Sequence, residues 1–430
     1  MPFSSYRDTL DYLYAQLPMF TRIGAVAYKK DLNNITALCE ALGNPEKKFT
    51  SIHVGGTNGK GSTSHMLAAI LQTAGYKTGL HTSPHLKDFR ERIRINGNMV
   101  SEQSVIDFVN RNETLFKKIE PSFFEASVAL AFEAFAEAEV DIAVIEVGLG
   151  GRLDSTNIIS PLLSIITNIG FDHMNILGNT LSEIAGEKAG IIKVNTPVII
   201  GESLPETQVI FEKKASEVQA PISFAQNDWT IIPLGKNNFM EMEAIERSSG
   251  KKMHLQLDLT GSYQLKNLPA VLVAVDELRK KGFSISDTHI KTALKQVKTL
   301  TGLQGRWQTL QTKPLVICDT GHNEDGIREV LQNISETPHQ NLHLVWGMVQ
   351  DKEIGKVLGM LPKSATYYFC QPAIPRAKAA NELRSEATIF GLKGNVYPTV
   401  VQAYQTALNK AAAGDLIFIG GSTFVVAEVI

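Results

Sequence analysis

The chain has 430 residues, enough for two or three domains at roughly 100–200 residues each. Apolar residues make up 43% and charged residues 20%, and the formal net charge is −2, so no overall basic field favours nucleic acid or an acidic membrane surface. The three cysteines, Cys39, Cys318 and Cys370, include no close pair, which argues against a disulfide framework or a zinc ribbon and fits a reducing, cytoplasmic setting.

The first ten residues set Arg7 and Asp8 among polar neighbours, unlike a secretory leader. No window approaches the roughly 20 continuous apolar residues of a membrane helix. From residue 49 onward, short apolar runs alternate with helical patterns, the rhythm of parallel sheets with crossover helices. A run at 49–54 leads through a glycine-rich turn into a helix over 62–74. A strand at 77–82 follows, then helices over 104–119 and 123–138. The runs at 141–147 and 162–167 are almost purely apolar, as expected of strands covered on both faces. Thr180 and Glu183 form a capping box for a helix that stops at Gly190. From about 222 to 259 the alternation is shorter and more polar, predicting antiparallel strands with hairpins, before a helix over 264–281. The polar stretch with Gly302, Gln304 and Gly305 reads as a linker. Beyond it a second α/β rhythm sets strands at 314–318, 342–346, 366–370 and 416–419. The expected domains are therefore 1–299, a mainly parallel α/β unit with a small antiparallel part, and 300–430, a second α/β unit.

Val54-Gly55-Gly56-Thr57-Asn58-Gly59-Lys60-Gly61-Ser62 follows a strand and opens a helix. That context suits a phosphate loop: backbone N–H groups and the helix N-terminus attract the anion, Lys60 reaches the phosphates, and Ser62 or Thr63 contacts Mg²⁺ or a phosphate oxygen. Two departures from the general pattern are Val54 in place of the first glycine and Gly61 between the lysine and Ser62. The bland alternative is a strand-to-helix turn with an incidental lysine.

Ligands of open parallel sheets gather beyond the C-terminal strand ends. Thr82, Ser83, Pro84 and His85 stand there, as do Glu146 and the run Gly148–Asp154, and Asn168, Asp172 and His173. Ser83 and Glu146 offer the hard oxygen donors that Mg²⁺ prefers. His173 alone reads more readily as a structural imidazole. Lys188 lies four residues after Ile184 on one helix face; taken alone it reads as a snorkelling surface lysine, and only burial would lower its pKa.

Several motifs occur together and in order: Gly56–Ser62, Thr82-Ser83-Pro84-His85-Leu86, Arg92–Gly97, Phe124-Glu125, Glu146–Asn157, Asp172-His173, Leu177-Gly178, Glu187-Lys188-Ala189-Gly190-Ile191, Gly305-Arg306 and Asp319-Thr320-Gly321-His322-Asn323. This set resembles the folylpolyglutamate synthase / dihydrofolate synthase family within the Mur-type ligases. Gly61 is typical of that family. Small departures are Thr320-Gly321 where the family usually has Gly-Ala, and Ser155 where it usually has Ala.

The resemblance implies an ATPase-like N-terminal domain and a Rossmann-like, glutamate-ligase C-terminal domain. It implies ATP contacts from Asn58, Gly59, Lys60, Gly61, Ser62, Asn267, Arg306 and Asp319. It implies one Mg²⁺ on Ser83 and Glu146 and a second on His173, with Lys188 carbamylated; Lys60, His173 and Lys188 are the expected catalytic groups. Folate contacts fall to Ser122, Phe123, Phe124, Glu125, Leu153, Asp154 and Ser155, with part of the pterin site within 21–30. His322 and Ser422 are placed near the incoming glutamate. The implied activity is ATP-dependent ligation of L-glutamate to dihydropteroate or tetrahydrofolate through an acyl phosphate, by a monomer with small-molecule substrates and neither nucleic acid nor membrane as partner. The alternatives are a Mur-type UDP-peptide amino-acid ligase and a P-loop nucleotide switch.

Overall fold

The computed structural model describes residues 2–19, 24, 29, 31–350 and 354–430. They divide into two compact units, Met1–Asp258 with Gln264–Gly302, and Leu259–Tyr263 with Leu303–Ile430. The sequence reading placed 259–263 in the first domain; its packing places it in the second.

The first unit is built on an eight-stranded sheet: β1 (Ser51–Gly55), β2 (Thr78–His81), β3 (Ile93–Ile95), β4 (Asn98–Met99), β5 (Ile142–Glu146), β6 (Leu163–Ile166), β7 (Val198–Ile200) and β8 (Ile222–Phe224). Their order is β4-β3-β2-β5-β1-β6-β7-β8. All but β3 and β4 run parallel. Every residue of β1, β2, β5 and β6 is buried, as their apolar runs require. The crossover from β1 to β2 runs in the opposite direction to that from β2 to β5, so right-handed connections put their helices on opposite faces. The helix Phe123–Glu137 packs with Ala143 and Ile145 of β5 in one apolar cluster. Strand alternation turns Val144 and Glu146 to the other side, where the helix Lys60–Thr73 packs.

Two features differ from the sequence reading. The run at 222–224 does not open the antiparallel part; it joins β7 as a last parallel strand. The antiparallel sheet begins later, with β9 (Trp229–Lys236), β10 (Met240–Glu246) and β11 (Lys252–Leu257) in the order β11-β10-β9. The motif 92–97 also supplies an unforeseen hairpin, in which Asn96 and Gly97 turn with φ of 47° and 76° between β3 and β4. Asn-Gly is the pair such a tight turn favours, and any side chain at Gly97 would overlap the Leu300 carbonyl.

The second unit holds β12 (Gln308–Thr312), β13 (Leu315–Cys318), β14 (Leu342–Trp346), β15 (Thr366–Cys370), β16 (Lys393–Tyr397) and β17 (Leu416–Gly420), in the order β12-β13-β17-β14-β15-β16. Only β12 is antiparallel. Its two faces carry separate apolar clusters, one around Trp307, Trp346 and Phe418, the other around Val345, Tyr368 and Ile417. This is the Rossmann-like arrangement of a doubly covered sheet. The strands absent from the sequence reading, β12 and β16, are the polar edges. An edge strand is specified by the neighbour it pairs with, and its own hydrophobic pattern is weak.

Candidate active site

The phosphate loop occupies the turn from β1 to the helix Lys60–Thr73. Gly59 caps that helix with φ of 84°, and the Asn267 side chain lies directly against it. The loop after β6 fixes the turn from the side. Thr57 N–H donates to the Asn168 carbonyl at 3.0 Å, and Asn58 N–H to Asn168 Oδ1 at 2.8 Å. Thr167 Oγ1 donates to the Asn58 carbonyl at 2.5 Å. Gln264 Nε2 donates to Ser62 Oγ at 3.0 Å, so the first helical turn is tied to the helix Gln264–Lys280 that carries Asn267. The leading N–H groups of the helix Lys60–Thr73 have no partner within the helix and are oriented for an anion.

Two lysines meet on this loop. Lys60 Nζ donates to the Thr57 carbonyl at 3.0 Å and the Gly56 carbonyl at 3.2 Å. Lys188 Nζ donates to the same Gly56 carbonyl at 2.8 Å. Lys188 is only 4% exposed, which overturns its reading as a snorkelling surface lysine. The capping box of Thr180 and Glu183 starts its helix, Leu181–Ala189, and sets the face that turns Lys188 inward with Ile184 and Ala185. Burial, and then the neighbouring charge of Lys60, lower its pKa to about 7.

Glu146 ends β5 and pairs in register with Val54 of β1, immediately before the loop. It is 4% exposed rather than a surface carboxylate, and its Oε2 accepts the Ser83 N–H at 3.0 Å. Ser83 follows β2, the strand adjacent to β5. His173 stands on the loop after β6 with φ of 50°, and its Nε2 is 3.8 Å from Asp172 Oδ1. Ser83, Glu146, the phosphate loop and the His173 loop thus follow four adjacent parallel strands, β2, β5, β1 and β6.

The run 148–157 is organised by Asp154. Its Oδ2 accepts the Leu149 N–H at 2.7 Å, and its Oδ1 accepts the Thr156 N–H at 3.0 Å and the Thr156 hydroxyl at 2.5 Å. His53 Nε2 lies 2.8 Å from the same hydroxyl. Burial raises the carboxyl's pKa, and these donors counter that. The Phe124 ring packs on Gly148, where any side chain would strike it. Ser122 and Glu125 cap the helix Phe123–Glu137 reciprocally, at 2.7 Å and 3.2 Å. Leu153 and Ser155 flank Asp154. Of residues 21–30, only Gly24 and Lys29 are described, so the pterin contacts expected there lie outside the described residues.

In the second unit, Asp319 directly follows β13 and is a node. Its Oδ2 accepts the Tyr263 hydroxyl at 2.6 Å and the Trp307 N–H at 2.7 Å, and its Oδ1 accepts the Gly321 N–H at 2.8 Å. The Arg306 guanidinium donates to the Thr320 hydroxyl and to the Gly305 carbonyl. His322 Nδ1 lies 2.9 Å from the Thr320 carbonyl, which assigns the proton to that nitrogen. Ser422 caps the helix Thr423–Ala427 after β17. Asp319 and His322 follow β13, Ser422 follows the adjacent β17, and Arg306 precedes β12, which runs antiparallel to β13, so all four belong to one edge of this unit's own sheet.

Comparison with known proteins decides the family. The Mur ligase middle domain matches residues 54–275, and the Mur ligase glutamate ligase domain matches residues 305–423. The chain is 32% identical over 442 residues to the dihydrofolate synthase/folylpolyglutamate synthase of Bacillus subtilis (strain 168), covering 99% of each. The chain belongs to the dihydrofolate synthase/folylpolyglutamate synthase family. Among solved structures it is similar to E. coli FolC in complex with DHPP and ADP, at 28% identity and a TM-score of 0.86 over 99% of this chain and 97% of that one. It is also similar to the Yersinia pestis bifunctional folylpolyglutamate synthase/dihydrofolate synthase complexed with AMPPNP and Mn ion, at 27% identity and a TM-score of 0.83 over 99% and 97%.

Membership makes the chain an ATP-dependent Mur-type ligase and implies a divalent cation. The donor chemistry at Glu146 fits one. Among the described residues no three His, Cys, Asp or Glu side chains form a metal-holding group. Mg²⁺ does not require such a cage, because it takes one or two protein oxygens and completes its shell with phosphates and waters. A buried carboxylate beside a serine, at the mouth of a phosphate loop, is that kind of partial site.

Sequence reasoning missed Gln264 and Thr167 as loop supports. Thr167 closes an apolar run, and its relation to Asn58 emerges only once β6 is known to lie beside β1. These supports leave no room for a side chain at Gly59. We expect Gly59→Ala to weaken ATP binding by about tenfold or more, because the methyl overlaps Asn267 Oδ1 and the positive φ strains any L-residue. Nucleotide titration by calorimetry checks this; unchanged affinity would show that the loop yields freely.

Proposed function

We propose that this member of the family joins L-glutamate to a folate carboxylate with ATP, acting on dihydropteroate, on tetrahydrofolate, or on both. The observation that carries this reading is the meeting of Lys60 and Lys188 on the Gly56 carbonyl, in a chain whose sheet sets the buried Glu146 beside the same loop.

A substrate carboxylate attacks the γ-phosphorus of ATP, giving an acyl phosphate and ADP. The glutamate amine then attacks the acyl carbon, and inorganic phosphate leaves with the C–O bond electrons as the amine loses a proton. Two anions must meet in the first step, so positioning and cationic groups account for most of the acceleration. We assign the phosphates to the N–H groups of the loop and to Lys60, with Asn267 holding Gly59. We assign Arg306 and Asp319 to the nucleotide as well, Asp319 acting by anchoring the Trp307 and Gly321 backbone. Mg²⁺ held by Glu146 and Ser83 supplies charge neutralisation on the phosphates when bound, and His173 suits a second ion. The aromatic wall of Phe123 and Phe124, with the 153–155 turn, takes the pterin side. His322 and Ser422 take the glutamate.

Lys188 has a role that its lowered pKa supports. A neutral amine adds CO₂ to form a carbamate and releases one proton, and burial lowers the Lys188 pKa to about 7, which favours the neutral amine. The resulting anion beside the loop would orient the γ-phosphate or the second cation. The chain is further assigned to the cytoplasm as a monomer. No helix of the described residues is long and apolar enough to cross a membrane.

The test is phosphate release with MgATP and L-glutamate, comparing dihydropteroate, tetrahydrofolate and no pterin. Release that requires both glutamate and a pterin supports the ligase, and the preferred pterin names the dominant activity. Release indifferent to both would return the assignment to a UDP-peptide ligase or a nucleotide switch.

A further inference from the structure

Arg92 ends the short 3-10 turn Phe89–Arg92 and leads into β3. It is only 5% exposed. Its Nε donates to His85 Nδ1 at 2.7 Å, and its Cζ lies over the Phe123 ring, 5.4 Å from the centroid. An arginine N–H can only donate, so His85 Nδ1 is the acceptor of that bond and carries no proton. Among the described residues, Nη1 and Nη2 of Arg92 have neither a hydrogen bond nor an ion pair.

The neighbouring carboxylates are committed elsewhere. Glu91 accepts the N–H groups of Leu86, Lys87 and Asp88 at 2.7, 2.9 and 2.9 Å. Asp88 pairs with Arg90 at 2.7 Å and accepts the Tyr6 hydroxyl at 2.8 Å. Glu146 accepts the Ser83 N–H, and its charge favours the protonated Arg92 guanidinium. A guanidinium taken out of water with its terminal fork unpaired is costly, and the cost is relieved only when an anion arrives. The group that fits is a planar carboxylate, which two parallel N–H bonds of the fork receive. The Nε bond to His85 and the Phe123 ring near Cζ hold the guanidinium in place, so its free edge is preorganised.

We propose that the free edge of Arg92 binds a carboxylate of the folate substrate and holds it between Phe123 and Glu146, an assignment that rests on the folate-ligase reading above. Dihydropteroate offers one carboxylate, the reacting one. Tetrahydrofolate offers two, so the fork takes either the reacting γ-carboxylate or the neighbouring α-carboxylate.

The experiment is calorimetric titration of the full chain in MgADP with dihydropteroate and with its analogue lacking the carboxylate, then with tetrahydrofolate and its α-carboxamide. The wild type is expected to bind the acid about 10- to 100-fold more tightly than the analogue. Arg92→Ala should lose that preference while keeping its affinity for the analogue and for MgADP, and Arg92→Lys should keep part of it. Loss confined to the dihydropteroate pair puts the reacting carboxylate on the fork; loss in the α-carboxamide pair puts the α-carboxylate there. Equal wild-type binding of acid and analogue overturns the proposal without any variant, so a poorly folding Arg92→Ala does not shelter it. Full discrimination by Arg92→Ala in an enzyme that ligates normally overturns the role of Arg92 alone. A wild type that binds no pterin overturns the folate reading and this proposal with it.

Discussion

Lys188→Ala is expected to lower glutamate-dependent ADP formation at least about 100-fold while leaving the fold intact. The amine is buried, donates to the Gly56 carbonyl at 2.8 Å, and has its pKa lowered to about 7, so alanine removes both a support of the phosphate loop and the proposed site of CO₂ addition. Turnover of the wild type should also fall in CO₂-depleted buffer and return with bicarbonate. A variant with full activity would sink the carbamate assignment. The same group carries a stability signature of definite sign. A lysine whose folded pKa lies below its unfolded value binds fewer protons when folded, so between about pH 7 and the ordinary lysine range near 10.5 the chain gains stability as pH rises. Below about 7 the burial penalty is fully felt. Lys188→Met should therefore melt higher than the wild type at pH 6 in CO₂-free buffer, with the gain shrinking toward pH 10. A gain that does not vary with pH would show that Lys188 is not a buried, titrating amine.

Glu146→Gln is expected to raise the Mg²⁺ concentration for half-maximal activity and to cut kcat at least about 100-fold. The amide keeps the shape of the carboxylate, and its oxygen can still accept the Ser83 N–H, so the end of β5 stays in place. What disappears is the negative charge on the side chain paired in register with Val54. Nucleotide affinity without divalent metal should be unchanged, since Lys60 and the loop N–H groups are untouched. Replacing a buried charge with a neutral amide should also leave the melting temperature the same or higher. A Mg²⁺ titration identical to the wild type would show that the carboxylate holds no cation.

Both expectations turn on residues that were visible in the chain but whose state was not. Lys188 and Glu146 look, one at a time, like a surface lysine and a strand-end carboxylate. The strand order brings Glu146 beside Val54, and the inward face of the helix Leu181–Ala189 carries Lys188 to Gly56. Arg92 opens the motif 92–97, yet its unpaired fork becomes apparent only once Glu91 and Asp88 are seen to be occupied by other donors.

The order of the candidate groups along the chain is legible from residues alone. The glycines and lysine of the phosphate loop, the apolar runs of β1, β5 and β6, and the polar groups just past them can be read because local pattern dictates doubly buried strands and glycine permits close backbone approach. Which strands pair at the polar edges, as with β3, β4, β12 and β16, and that 222–224 extends the parallel sheet, is set by long-range packing. That packing also decides which side chains lose water. Strand pairing at an edge, and the pKa of a lysine or the pairing of a guanidinium, depend on groups brought from distant parts of the chain, and no local pattern encodes those neighbours.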